Sequence, residues 1–191
     1  MLNVESDIVT LHNQSILKWK QHGISLHCND FLRIVEENHA FNFQLWHAED
    51  RARREDMGHT FVYHAKREID QHNQQRNNRM ENMDEWLFKT LKPTTSTNCP
   101  VHSETPGMMI DRLSILALKL YHMKEQSTRE NVQEVHRQTC LQKSFTLMKQ
   151  QNHLAQCLEE LINAVKNQTR TFRVYHQFKM YNDPTLNPEL Y

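Results

Sequence analysis

The chain has 191 residues, enough to bury a core as one domain without disulfides or a structural metal, and it balances 23 Lys plus Arg against 23 Asp plus Glu. A formal charge of zero excludes an overall field for nucleic acid or an anionic membrane, and 3 glycines and 5 prolines are too few to punctuate a β-rich fold. Gln, Glu, Lys, Arg, Leu and Met are common, so the composition predicts an all-α protein: a single-domain helical bundle over residues 1–181 and an extended or disordered tail over 182–191.

From Leu2 to Lys20, Val4, Ile8, Leu11, Ile16 and Trp19 recur with rough helical spacing, and His22-Gly23 gives a stop. Asn29 is placed to cap a second helix that starts at Asp30, carries Phe31, Leu32, Val35, Phe41, Leu45 and Trp46, and runs into the charged segment Glu49 to Asp56. After a turn at Gly58, a third helix is predicted from about Thr60 to Leu91, roughly 45 to 50 Å long at 1.5 Å per residue. The segment from Pro93 to Pro100 reads as a loop, and Thr105-Pro106 pairs a capping residue with proline at the first helical position. The helix that follows, from about Gly107 to Met123, is apolar on nearly every side and is therefore expected at the centre, wrapped by long flanking helices. Ser127 and Glu130 have capping-box spacing and are expected to start another long helix, with helical periodicity to about Ala164. Beyond Asn167 the pattern loosens, and both a continued helix and a separate short one fit it.

The four cysteines show no short paired spacing, and the amino terminus has no basic segment followed by an apolar core, so reduced thiols in a cytoplasm are expected. No apolar run approaches the ~20 residues of a membrane-spanning helix, and no membrane insertion is expected. Nor do the basic residues Lys18, Lys20, Arg51, Arg53 and Arg54 form a stripe with interleaved aromatics, which argues against nucleic-acid binding.

The candidate site comes from polar residues on core-facing stripes. On the third helix the apolar positions Val62, Ala65 and Ile69, then Met80, Met83 and Leu87, are interrupted by His72, Asn73 and Arg76. On the second, Leu45 and Trp46 give way one turn later to Glu49 and Asp50, with Asn38 and His47 nearby. The central helix adds Asp111, Arg112 and Lys119, charges that are costly to bury unless paired. Glu49, Asp50, Asp70 and Asp111 with Arg53, Arg67, Arg76 and Arg112 are thus expected to meet, either as ion pairs that fix helix register or as the lining of a ligand slot. In the second reading Glu49, Asp50, Arg53, Arg67, Asp70, Asn73, Arg76, Asp111 and Arg112 line the slot, the arginines clamp an anion, and Glu49 or Asp111 serves as acid or base.

These segments carry a resemblance. Leu45 to Arg53, Lys66 to Asn77, Met83 to Leu87 and Glu104 to Lys119 resemble a bacterial family known only as domain of unknown function 4254, across about the middle half of the chain. The resemblance implies no reaction and no cofactor. It implies a sugar or nucleotide-sugar context, because members of that family sit among genes for cell-surface polysaccharide assembly.

Other chemistry has less support. Glu36-x-x-His39 lacks the second such pair that a di-iron bundle needs, and the offsets His64/Glu68/His72, His136/Cys140 and His153/Cys157 fit surface or packing roles equally, so no metal is assigned. Met80, Met83, Met57, Met108 and Met109 read as core filling. There is no Gly-x-Ser-x-Gly, glycine-rich phosphate loop or Cys-x-x-Cys, and the analogy of Arg67, Arg76 and Lys119 to helical mutases that hold dicarboxylates has no motif behind it. The leading expectation is a cytoplasmic helical protein that binds a small anionic ligand, a sugar phosphate or nucleotide sugar, in the interhelical slot. The alternative is a non-enzymatic helical adaptor whose ion pairs are structural. Val135 to Val165, if continuous, outruns a domain roughly 35 Å wide, so pairing with a second copy is expected.

Overall fold

The computed structural model describes residues 3–178 and 183–190. A π-helical stretch, Val4–Val9, runs directly into α1, Thr10–His22, and Gly23 ends it at a φ of 78°, with its N–H returned to Trp19 O. The loop that follows is tied down by Glu36, whose carboxylate accepts the N–H groups of His27 and Cys28 at 2.9 Å each. Helix α2 is Asp30–Ala52 and α3 is His59–Leu91. Phe31 lies against Trp86, Asn38 reaches Arg76 and Arg51 pairs with Glu68, an order that makes α2 and α3 antiparallel neighbours along their length. The second helix stops short of the expected Asp56 because Arg53 and Arg54 turn their N–H groups to carbonyls three residues back, tightening the end into the 3-10 turn Glu55–Met57.

Helix α4, Pro106–Ser127, opens as expected: Thr105 Oγ1 accepts the Met108 N–H at 3.2 Å and proline occupies the first turn. A second grip comes from α3, where Asp84 accepts the Gly107 N–H at 2.7 Å. Gly107 permits that approach, since a Cβ there would sit 2.5 Å from Met80 O. The expected capping box does not form. Ser127 ends α4 with its hydroxyl on Lys124 O, Thr128 bonds Glu125 O, and α5 begins only at Glu134 and ends at Lys166. Hydroxyls able to cap a following helix instead satisfy the last carbonyls of the preceding one.

The core is built around α4 in two parts. Its first half packs with Ile8, Phe31, Val35, Met83, Leu158 and Ile162, and its second half, through Ala117 and Leu118, packs with Ile16, Trp19, Ala40 and Phe43. The expectation that α4 is wrapped on all sides is corrected, because Arg112 and Lys119 are exposed and Ile115 and Leu116 are half-buried. One lengthwise strip of α4 stays open, which is how its charged residues remain solvated. Met83 and Met109 fill the core as expected, whereas Met57 is exposed.

After α5 the chain is neither a continued nor a separate helix. It returns as a strap: Thr171 forms a parallel bridge with Val101, its Oγ1 donates to Thr94 O, and Phe172 is fully buried with its ring edge-on to Phe88. Further on, Gln177 donates its N–H to Glu81 at 2.8 Å. Part of the expected tail lies outside the described residues; within them it holds a turn after Asp183 and a 3-10 turn, Pro188–Leu190. All four cysteines are free, and no helix among the described residues is long and apolar enough to cross a membrane.

Candidate functional site

Between the two halves of the core lies a polar layer. One face of α2 carries Phe31, Val35, Asn38, Asn42, Leu45 and Glu49 at spacings of three and four, so its apolar stripe turns polar in the middle. From α4, Asp111 enters this layer at 2% exposure. Its Oδ1 accepts from Arg76 Nε at 2.8 Å, Asn42 Nδ2 at 2.9 Å and Asn38 Nδ2 at 3.1 Å, and its Oδ2 accepts from Arg76 Nη2 at 2.5 Å. The fork of α3's Arg76 thus closes on the carboxylate with two parallel bonds, which raises the guanidinium pKa against the opposing effect of burial. Asn42 also donates to Ser114 Oγ at 2.9 Å.

The layer continues to α1. His39 is buried, bonded through Nε2 to His12 O at 3.0 Å and through Nδ1 to Ser114 Oγ at 2.7 Å. Burial holds its pKa well below the usual imidazole value, so the ring is neutral at neutral pH. A carbonyl can only accept, hence the proton sits on Nε2 and Ser114 donates to Nδ1. His12 packs against His39 with centroids 4.5 Å apart and planes tilted by 34°, and its pKa is pushed down to about 3 by burial alone; neither of its ring nitrogens has a partner among the described residues.

Beside this layer a cleft of about 350 Å³ opens between α2, α3 and α4. Leu45, Trp46, Ile115 and Leu118 form its apolar wall, and Glu49, Asp50, Arg53, Asn73 and Arg76 supply the polar groups. Trp46 is steadied by a parallel stack on His122, with centroids 4.4 Å apart and planes 6° apart. Arg53 donates to the Glu49 carboxylate at 2.8 Å. Both cleft arginines are therefore engaged by carboxylates of the chain itself, and Arg76 turns only Nη1 away from Asp111.

Of the residues expected here, Glu49, Asp50, Arg53, Asn73 and Arg76 line the cleft and Asp111 lies behind it. Asp111 is 2% exposed and outside the cleft lining, and with four hydrogen bonds on its two oxygens it positions Arg76. The other three are elsewhere. Arg67 is exposed and Asp70 half-buried on α3, away from the cleft lining, and Arg112 faces a separate groove, where Glu104 holds it at 2.5 Å. The polar seam of α3 is wide, and spacing alone does not decide which of its edges meets α2. Asn42 and Ser114 were not expected at the site; their signal was a polar residue one turn from Asn38 and one turn from Asp111 on the same faces. Two further α2–α3 ion pairs, Arg79–Glu37 at 2.7 Å and Arg51–Glu68, lie outside the cleft lining. Among the described residues no three His, Cys, Asp or Glu side chains come together as a metal site.

Fold and cleft together define an all-α, single-domain bundle with a polar interhelical cleft backed by a buried ion pair. The chain belongs to the family described as protein of unknown function DUF4254, whose sequence model matches residues 32–174. Every cleft-lining residue falls inside that span, whereas α1 lies before it. No curated protein and no solved structure matches the chain.

Proposed function

We propose that the cleft between α2, α3 and α4 binds the hydroxylated part of a small carbohydrate-derived ligand, a sugar phosphate or nucleotide sugar. The observation that carries this reading is the pairing of both cleft arginines with carboxylates. A cleft whose cations are already neutralised is poorly suited to clamp an anion by itself, which revises the role expected for Arg53 and Arg76. It is well suited to hydroxyl groups, which donate to Glu49 and Asp50 and exchange hydrogen bonds in both directions with Asn73. Trp46 and Leu45 offer an apolar surface for the C–H face of a sugar ring. Glu49, at the rim, is the carboxylate available for proton transfer. A cytoplasmic role beside cell-surface polysaccharide assembly belongs to the same proposal.

A thermal-denaturation panel of sugar phosphates and nucleotide sugars tests it. Ligand that binds only the folded chain raises Tm with concentration, by RT ln(1 + [L]/Kd) in free energy. At least one member should do so, and Asn73→Ala should abolish the rise. A panel that leaves Tm unchanged at roughly 100 times a micromolar Kd would overturn the reading.

A second reading is supported by α5, whose first half exposes Leu141, Phe145 and Met148 at helical spacing, with Val135 also exposed six residues before Leu141. Under it the protein is an adaptor, with a second copy or another protein on that face and the Asp111 layer purely structural. Phe145→Glu would then lower the mass seen in light scattering, and no small ligand would raise Tm.

A further inference from the structure

On the far side of the open strip of α4 lies a larger groove, about 580 Å³, between α4, α5 and the loop leading into α4. Its lining includes Arg112, Ile115, Leu116 and Lys119 from α4 and Gln150 and His153 from α5. Spacings of three, four and seven place those four α4 residues on one face. Ile115 lines both the groove and the α2–α3–α4 cleft, so the two depressions adjoin at that side chain.

Their charges are distributed oppositely. In the cleft each arginine is matched by a carboxylate, and Asp50 is an additional acid with no ion-pair partner among the described residues. In the groove Glu104 engages Arg112 at 2.5 Å, and Lys119 is exposed with no ion-pair partner among the described residues. The cleft therefore has an unmatched acid beside hydroxyl-binding groups, and the groove an unmatched ammonium with three N–H donors, in a lining that also holds the imidazole of His153 and the amide of Gln150.

We propose that the groove is the anion-binding half of a single extended site: a phosphoryl or pyrophosphoryl group sits on Lys119, and the sugar it is attached to reaches over Ile115 into the cleft. The inference rests on the carbohydrate reading of the cleft for the second half of the ligand only. Arg112 and Lys119 are seven residues apart, about 10 Å along the helix axis, so a pyrophosphate bound at Lys119 also comes within reach of the Arg112–Glu104 pair. Leu116, between them, gives the groove an apolar floor. Such a ligand is oriented by charge alone, because its anionic end is repelled by Asp50 and attracted by Lys119.

Isothermal titration of the full chain with inorganic pyrophosphate at low ionic strength isolates the anionic half. The wild-type protein should bind it, Lys119→Gln should weaken binding by about tenfold or more, and Lys119→Arg should restore most of it. Asn73→Ala, in the cleft, should leave pyrophosphate affinity unchanged. Lys119 is exposed, so circular dichroism and unliganded Tm of its variants should match wild type. No binding by wild type, equal binding by Lys119→Gln, or an equal loss in Asn73→Ala would each overturn the proposal. A Tm rise with a sugar phosphate that is lost in Asn73→Ala yet retained in Lys119→Gln would keep the cleft and remove only the groove.

Discussion

Asp111 binds three side chains from two other helices, and that determines what its loss does. Asp111→Ala leaves Arg76, Asn38 and Asn42 facing an apolar gap, so it should cost about 3 kcal/mol, the low end for breaking a buried pair because Arg76 is 25% exposed and is partly rehydrated. Urea unfolding measures it, and Asp111→Asn, which keeps the shape and one acceptor, should cost less. The histidines set the acid limit. Their folded pKa values are depressed, so the stability they contribute is present above the unfolded value of 6.5 and is lost as pH falls from there toward about 3 for His12. Asp84 works the other way: burial raises it to about 6, so its contribution is present below 3.8 and is lost as pH rises through 6. Two imidazoles outweigh one carboxyl, and Tm should fall between pH 6.5 and pH 4. In His12→Phe that fall should be shallower, by up to roughly 1.4 kcal/mol per pH unit. Asp111 stood out in the sequence because a carboxylate on an apolar helix needs a partner. His12 did not, since an imidazole on a helix looks the same whether it is solvated or enclosed.

At the junction of α3 and α4, Gly107 lets the two backbones approach closely. Gly107→Ala would place a methyl group 2.5 Å from a backbone oxygen of α3 and 2.9 Å from the Asp84 side chain, so the two helices must part. The expected cost is about 1–3 kcal/mol, read as a lowered Tm, and Asn73 and Arg76 on the same α3 should shift with it. Thr105→Ala removes both the cap and the hydroxyl's hydrogen bond to Asp84, and should cost about 1–2 kcal/mol. This end of α4 was legible because threonine followed by proline has one common use. The starts and stops governed by hydroxyls at Ser127 and Thr128 were not, because the same side chains serve the end of one helix as readily as the start of another. The α2–α3 pairing was legible in part: matching polar breaks in two stripes identified the layer, while the edge that carries Arg67 and Asp70 depended on how far α3 is rotated about its axis.

Three helices line the cleft, yet the last piece of the core comes from an irregular segment. Phe172 has 0% exposure, in a stretch with no helical periodicity to announce it. Phe172→Ala should cost about 3–5 kcal/mol in chemical denaturation, as large as any single truncation in α4. The matched family span, which runs through residue 174 and not only to the end of α5 at Lys166, includes this aromatic plug. During synthesis, α1 to α5 emerge before it does. Until Phe172 clears the ribosome the nascent chain has its helices but an unsealed apolar face at Phe88, and that interval is when a chaperone or a neighbouring chain would find it.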